Sequence, residues 1–269
     1  MKRTIPYRIL TVLASLSIFI IVTFIAIMVP ANSKSFYKWQ FEKNQTLSWV
    51  QSQSSYLDYP LSEDYDPYAA DYVENMTEQQ LEDLMMHVMR YLTWLEDDVN
   101  ITVEDRYLNI FTANEKSHLK DVRVVFGVFI ILSILSMLFC MVYLFFLINR
   151  PKQYYDTSRK IPFITFAVIM ALYISFVVWA IVDFKYVYEV FFHNLLFSGN
   201  YAFSHGVMVS MISEIFPDIA ICVGVSIPVL LSIPTLAFAL YNRSIRKKIA
   251  KAEQESIKAE QEIENNRKF

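Results

Sequence analysis

Glycine and cysteine are scarce in this chain, which has 4 glycines and 2 cysteines among its 269 residues. The sequence contains no glycine-rich phosphate-binding loop, no HExxH motif of zinc proteases and no GxSxG motif of serine hydrolases. Both cysteines, Cys140 and Cys222, lie inside long apolar stretches, so they offer no disulfide framework for the polar segments. These absences remove the best-known sequence signals for nucleotide, zinc and serine chemistry.

Charge is also absent from four long apolar stretches, at residues 9–29, 124–148, 161–182 and 219–241. Each stretch has about 20 residues or more, enough for a helix to cross a hydrocarbon core of roughly 30 Å. Ion and proton pathways usually need ionisable groups at that depth, and the sequence shows no internal repeat of the transporter kind. We therefore predict an all-α integral membrane bundle of four transmembrane helices with an extracellular helical cap, and a channel or transporter is disfavoured.

Lysine and arginine are concentrated at one set of span ends, which predicts the orientation of the chain. They precede the first stretch, fill the loop between the second and third, and follow the fourth, whereas Lys185 is the one basic residue between the third and fourth. We predict a multi-pass cell-membrane protein with both termini in the cytoplasm. The first stretch is longer than a signal-peptide core, so we expect a retained anchor.

This topology divides the chain into alternating membrane and aqueous segments. The predicted segments are 1–29 (cytoplasmic N-terminus and first span), 30–122 (extracellular helical segment), 123–149 (second span), 150–160 (cytoplasmic loop), 161–183 (third span), 184–217 (extracellular segment), 218–241 (fourth span) and 242–269 (charged cytoplasmic tail). The basic start of the tail suits anionic lipid at the inner surface, and the rest is expected to be a solvated helix or a frayed end.

The larger outer segment carries two predicted helices. Residues 52–72 are rich in Tyr, Asp, Ser and Pro and are interpreted as an irregular loop. The capping-box pattern from Thr77 to Gln80 and the apolar spacing that follows predict an amphipathic helix over residues 78–95. A second helix is expected to start near Glu104 and to run into the second span, and His87 is expected to be a surface histidine.

A dense polar cluster precedes the second span. Glu115, His118 and Asp121 are three residues apart, so in a helix they share one face. A carboxylate one turn from an imidazole can fix its tautomer and stabilise its protonated form. The alternative is a solvated turn beside the membrane with incidental charges, and the spacing alone does not separate the two.

A second histidine follows the third span. Residues 183–197 contain six aromatic residues, and Glu189 lies one helical turn before His193. Aromatic surroundings lower the pKa of a histidine, which suits a general base near neutral pH, although the spacing alone slightly favours an inert histidine in the interfacial aromatic belt. Residues 198–208 are interpreted as a loop in which His205 is incidental. A metal site built on His118 and His193 matches no known ligand spacing.

Two short blocks resemble the lipoprotein intramolecular transacylases, four-span membrane proteins of Gram-positive bacteria. One block runs from Glu115 through His118 and Asp121 to Arg123 and looks like the family's acidic-x-x-His-hydrophobic-x-Asp-Val-basic pattern. The other is Phe192-His193-x-x-x-Phe197, followed by Ile215-Phe216-Pro217 at the fourth span. This sequence departs from the family in having no acidic residue between Asn194 and Glu214.

The resemblance implies a function and a site. The family moves an acyl chain from the diacylglyceryl group on a lipoprotein's N-terminal cysteine to that cysteine's own α-amino group, giving the lyso-form lipoprotein. Its two essential histidines fall on His118 and His193. From their positions near these histidines, we expect orienting roles for four charged residues: Glu115, Asp121, Glu189 and Arg123. No cofactor and no metal are implied. The partners are diacylglyceryl lipoproteins and membrane lipids, without nucleic acid, and the active site faces the extracellular leaflet.

Two other functions fit the same residues. One is a non-catalytic membrane sensor or accessory protein with a ligand-binding extracellular cap. The other is a phospholipid or lipoprotein acyl hydrolase, in which water replaces the amine as the nucleophile. The sequence alone does not separate hydrolysis from transacylation.

Overall fold

The computed structural model describes residues 5–59, 65–149, 160–183, 186–192, 194, 206–212 and 215–267. Helices dominate these residues, with one short hairpin and one π-helical turn. In chain order the elements are α1 (Ile5–Ala31), α2 (Lys34–Asn44), α3 (Thr46–Gln51), α4 (Ser54–Leu57), α5 (Pro67–Glu74), α6 (Glu78–Leu92), β1 (Ile101–Val103), β2 (Arg106–Leu108), α7 (Ala113–Asn149), α8 (Ile161–Val182), the π-helical turn Tyr186–Phe192, α9 (Val207–Ile212) and α10 (Phe216–Arg267).

Four of these helices, α1, α7, α8 and α10, are long and apolar enough to cross a membrane, which confirms the four-span prediction. Helix α1 packs against all three of the others. Its small buried side chains, Thr11, Ala14 and Ser15, allow close approach to α7. At this contact the Tyr143 hydroxyl donates a hydrogen bond to Thr11 Oγ1 at 3.0 Å.

Two of the spanning helices extend well beyond the apolar run that each contains. Helix α7 has 37 residues, which corresponds to about 55 Å, against roughly 30 Å of hydrocarbon. Its first two to three turns therefore lie outside the apolar run. Helix α10 has 52 residues and continues without interruption into the charged tail. The tail is therefore helical as far as Arg267.

Helices α2 to α6 and the hairpin form a compact cap over one end of the bundle, around buried residues that include Tyr37, Leu81 and Phe111. The capping box of α6 is confirmed, because Thr77 and Gln80 exchange side-chain and backbone hydrogen bonds. The predicted end of this helix at residue 95 is wrong. Helix α6 ends at Leu92, and Trp94 adopts a left-handed conformation with φ of 65° that no α-helix continues through.

The predicted helix from Glu104 into the second span is wrong. Ile101–Val103 pairs antiparallel with Arg106–Leu108, so this stretch is a hairpin. Glu104 and Asp105 form its two-residue turn with φ of 49° and 61°, as the turn that matches strand twist requires. All three residues of the first strand are β-branched, which favours this structure over helix, and helix α7 begins only at Ala113.

The described part of residues 52–72 is more ordered than the predicted loop. They contain α4 and the start of α5, while residues 60–64 lie outside the described residues. Asp66 caps α5 by accepting hydrogen bonds from the backbone N–H groups of Tyr68 and Ala69. Pro67 occupies the first helical position, where its missing N–H costs nothing. Similarly, Val207 and Met208 begin α9 within the predicted loop 198–208, of which residues 198–205 are not described.

Candidate functional site

Glu115 lies in the first turn of α7 and is almost fully buried, with 1% of its surface exposed. Its Oε2 accepts hydrogen bonds from the backbone N–H of Thr112 at 2.9 Å and from the Thr112 hydroxyl at 3.1 Å. In return, the Glu115 backbone N–H donates to Thr112 Oγ1 at 3.2 Å. This reciprocal pair is a capping box that starts α7.

The other oxygen of Glu115 binds a distant segment. Oε1 accepts hydrogen bonds from the backbone N–H groups of Met208 at 2.7 Å and Val209 at 3.3 Å, at the start of α9. Burying a carboxylate is costly unless donors replace its lost water, and here Thr112, Met208 and Val209 supply them. The carboxylate therefore joins α7 to α9 inside the cap.

Gly206 makes this contact possible. Its φ of 140° lies in a region that favours glycine. A side chain at this position would place its Cβ 2.3 Å from Glu115 Oε1, which no ordinary contact allows. The Gly206 backbone N–H donates to Gln53 Oε1 at 2.9 Å, so the start of α9 is also tied to the residues between α3 and α4.

His118 and Asp121 follow Glu115 on the same helix. Because α7 covers all three residues, their spacing of three places them along one face. His118 and Asp121 are both half-buried, and Leu119 beside them is fully buried in the cap core. The described contacts of the Glu115 carboxylate are to Thr112 and α9, so its role as an orienter of His118 stays a prediction.

Arg123 has a different set of contacts. Its Nη2 donates to the carbonyl oxygen of Glu96 at 2.8 Å, and its guanidinium lies over the rings of Tyr91 and Trp94, at 4.4 and 4.3 Å. Arg123 therefore fixes the turn after α6 against the second span. Its role as an orienter of His118 stays a prediction.

The second histidine, His193, lies outside the described residues, as does His205. Glu189 belongs to the π-helical turn Tyr186–Phe192 that follows the third span. Segments of this kind are rare and often occur at functional sites. The proximity of His118 and His193 stays a prediction.

His87, expected to be a surface residue, is half-buried and has a structural role. Its Nε2 lies 3.0 Å from the carbonyl oxygen of Asp98 and 3.1 Å from that of Asn100. Two acceptors require Nε2 to carry the proton. His87 thus ties α6 to the segment that enters the hairpin and is not part of the predicted site.

A cavity of about 330 Å³ lies elsewhere on the cap, between α2, α3 and α6. None of the predicted site residues lines it. Among the residues that the structure describes, no group of three or more His, Cys, Asp or Glu side chains is close enough to hold a metal ion.

The sequence contains a second capping-box pattern, which the prediction of a helix from Glu104 did not take into account. Thr112-Ala-Asn-Glu115 fits the capping-box pattern and predicts a helix that begins at Ala113. The partnership of Glu115 with Met208 had no such signal, because 93 residues separate the two.

Comparison with known families and structures gives consistent results. The sequence model of the family described as lipoprotein intramolecular transacylase Lit matches residues 11–218, which include both His118 and His193. No curated protein matches the sequence.

Three solved structures match the fold. One is the in meso structure of the membrane integral lipoprotein intramolecular transacylase from Bacillus cereus, with a TM-score of 0.60, 17% identity and coverage of 91% of this chain and 97% of that one. A variant of the Bacillus cereus protein with a histidine replaced by arginine matches with a TM-score of 0.57, 16% identity and coverage of 91% and 94%. At such low identity these matches show that the fold is shared.

Proposed function

The chain belongs to the lipoprotein intramolecular transacylase family, a family of acyltransferases, and from this membership we propose its reaction and the residues that perform it. An acyl chain moves from the diacylglyceryl group of a lipoprotein's N-terminal cysteine to the α-amino group of the same cysteine. The product is a lyso-form lipoprotein with an N-acylated cysteine. The observation that carries the proposal is the family match over residues 11–218.

The chemistry requires one proton acceptor and one proton donor. The substrate amine is an ammonium at neutral pH and must lose a proton before its nitrogen attacks the ester carbonyl. The new C–N bond gives a tetrahedral oxyanion, which collapses by breaking the ester C–O bond. The departing glyceryl alkoxide takes up one proton, and the nitrogen gives up a second proton as the amide forms, so the conversion of the ammonium to the amide releases one proton overall. We assign these transfers to His118 and His193 as the general acid–base pair.

The position of His118 supports this assignment. It lies on α7 in the turns that precede the uncharged run 124–148, at the level where protein passes from water into lipid. The ester and the cysteine amine of a membrane-anchored lipoprotein lie at the same boundary. Because both belong to one molecule, holding them together supplies much of the rate as effective molarity. The site then faces the extracellular leaflet.

The charged neighbours have separate parts in this proposal. Asp121, one turn beyond His118, orients the imidazole, and Glu189 has the corresponding position one turn before His193. Glu115 and Arg123 act less directly, because their described contacts hold α9 and the turn after α6 against α7.

The test is conversion of a synthetic diacylglyceryl lipoprotein by the purified protein without added cofactor, followed by mass spectrometry of the N-terminal peptide. We expect the N-acyl, lyso product from the natural protein. His118→Ala and His193→Ala should each lower the rate by about 10²–10⁴-fold, the usual contribution of a general acid or base. His205→Ala is the matched control, since it removes an imidazole outside both sequence blocks, and should change little.

Two results would replace the proposal. Free fatty acid without N-acylation would show that water is the nucleophile and that the protein is a hydrolase. An unchanged substrate, together with binding of the lipoprotein by folded protein, would favour the sensor function.

A further inference from the structure

We propose that the turn formed by Trp94 and Leu95 inserts into the lipid at the membrane interface and gives the cap an attachment to the bilayer besides the spanning helices. The partner is the interfacial region of the bilayer, where headgroups meet acyl chains. This proposal does not depend on the acyl-transfer reaction.

The turn presents two large apolar side chains at the surface. Trp94 is 58% exposed and Leu95 is 67% exposed. Trp94 has a φ of 65°, a conformation that is uncommon for a bulky residue. The Leu95 backbone N–H donates to the carbonyl oxygen of Arg90 at 2.8 Å, which closes the turn directly after α6. The exposure is therefore a property of a fixed turn rather than of a free chain end.

The turn is fastened to the entry of the second span. The Trp94 indole Nε1–H donates to the carbonyl oxygen of Arg123 at 3.2 Å, and the Arg123 guanidinium covers the ring. The indole also lies against Gly127, where a Cβ would come within 2.8 Å of Nε1. Gly127 belongs to the uncharged run 124–148, so the ring reaches the part of α7 that lies in the membrane.

The apolar surface continues from the turn into the bilayer. Ile131, Ile134 and Leu138 follow Gly127 at helical spacing on the same face of α7, and all are exposed. In a spanning helix an exposed apolar face contacts lipid, so lipid covers this face of α7 from Gly127 onward. Nine residues separate His118 from Gly127, which places the two on opposite faces and about 13 Å apart along the helix.

The residues after the turn mark its polar boundary. Glu96 and Asp97 follow Leu95 directly, and Glu96 forms an ion pair with Arg90 at 2.6 Å. Two apolar residues followed directly by two acidic residues fit the membrane interface better than they fit bulk water or the hydrocarbon core. Tryptophan is the residue that most often occupies this level, because its ring is apolar and its N–H needs a partner.

Tryptophan fluorescence provides a matched test, since the chain has four tryptophans. The triple variant W39F/W49F/W179F keeps only Trp94. The triple variant W39F/W94F/W179F keeps only Trp49, which is 59% exposed and whose carbonyl oxygen accepts hydrogen bonds from the polar side chains of Ser52 and Gln53. Both variants are reconstituted in phosphatidylcholine nanodiscs, in which both bilayer faces are open to solution, with and without brominated acyl chains.

Trp94 should be quenched strongly by brominated lipid, and its quenching constant with iodide should be several-fold lower than that of Trp49. Trp49 should show the reverse pattern. Equal iodide quenching of the two would overturn the proposal, as would protection of Trp94 from both quenchers, which would indicate a protein covering.

A spin label gives a second measurement if either triple variant fails to fold. A nitroxide on Leu95→Cys, with Cys140 and Cys222 replaced by serine, should be more accessible to oxygen than to a water-soluble nickel complex. The same label on the exposed cap residue Glu74→Cys should show the opposite order. Nickel accessibility at position 95 equal to that at position 74 would overturn the proposal.

Discussion

Glu115 brings a carboxyl group into the contact between α7 and α9, where water is excluded and burial raises the pKa of this group. One carboxylate oxygen closes the capping box with Thr112, and the other binds Met208 and Val209. The same side chain therefore sets where α7 begins and holds α9 against it. His118 lies one turn further along α7, so the start of the helix that carries it is fixed by this contact.

Removing the Glu115 carboxylate should destabilise the cap. Glu115→Ala leaves buried N–H groups on α9 without an acceptor, at a cost of about 3 kcal/mol. Glu115→Gln keeps one acceptor oxygen and should lose less. We expect the thermal unfolding temperature in detergent to fall in the order natural protein, Gln variant, Ala variant. Glu74→Ala, an exposed carboxylate on α5, is the control, and an equal loss in both alanine variants would contradict the assignment.

Single residues show both the reach and the limit of sequence reasoning. The shared face of Glu115, His118 and Asp121 followed from helical spacing, because neighbours on a helix are close in sequence. The bond from Glu115 to Met208 could not be predicted, since it depends on how two distant elements fold together. The requirement for Gly206 is of the same kind, because the clash that excludes a side chain comes from another element.

At the scale of elements, spans were easier to predict than the cap. Length and lack of charge suffice for a spanning helix, and α8 covers the apolar stretch 161–182 on which the third span was predicted. The hairpin was missed because Glu104-Asp105 is not the Asn-Gly or Asp-Gly pair that usually marks such a turn. Its stability comes in part from side chains outside the strands.

One such group is Asp98, which accepts hydrogen bonds from the Tyr107 hydroxyl at 2.7 Å and from the Asn100 backbone N–H at 3.0 Å. Partial burial acts to raise the pKa of Asp98, but these hydrogen bonds, that of the Val99 N–H and the charge of Lys116 outweigh it. The pKa of Asp98 is therefore lowered from 3.8. A lowered pKa stabilises the fold above the unfolded value, and the contribution is lost as pH falls through the folded value.

We therefore expect Asp98→Asn to destabilise the cap at pH 6 by about 1 kcal/mol, the net value of a hydrogen bond or two. The difference from the natural protein should shrink as pH falls below 3.8. Thermal unfolding across this pH range measures it. Asp105→Asn, at the exposed tip of the same hairpin, is the control and should give a difference that does not follow this pattern. A stability difference between Asp98→Asn and the natural protein that stays constant with pH would contradict the link between the pKa of Asp98 and the stability of the fold.

For the whole molecule, the predicted orientation can be tested directly. The basic flanks predict that the cap lies outside the cell and the tail inside. In cells carrying a protein whose Cys140 and Cys222 are replaced by serine, Asn75→Cys should react with an impermeant maleimide on the intact surface. Ser256→Cys, in the tail part of α10, should react only after lysis. Labelling of position 256 but not position 75 on intact cells would reverse the topology.

The unbroken course of α7 from Ala113 to Asn149 has a consequence for the lipid environment. His118 precedes the uncharged run by six residues, about 9 Å along the axis, and no hinge separates the two. In a thicker or thinner bilayer, the helix tilts or the surrounding lipid deforms. Either response changes the height of the imidazole above the acyl-chain region. With His118 in its proposed role, the lipid chain length of the host membrane sets the distance between the substrate ester and the imidazole.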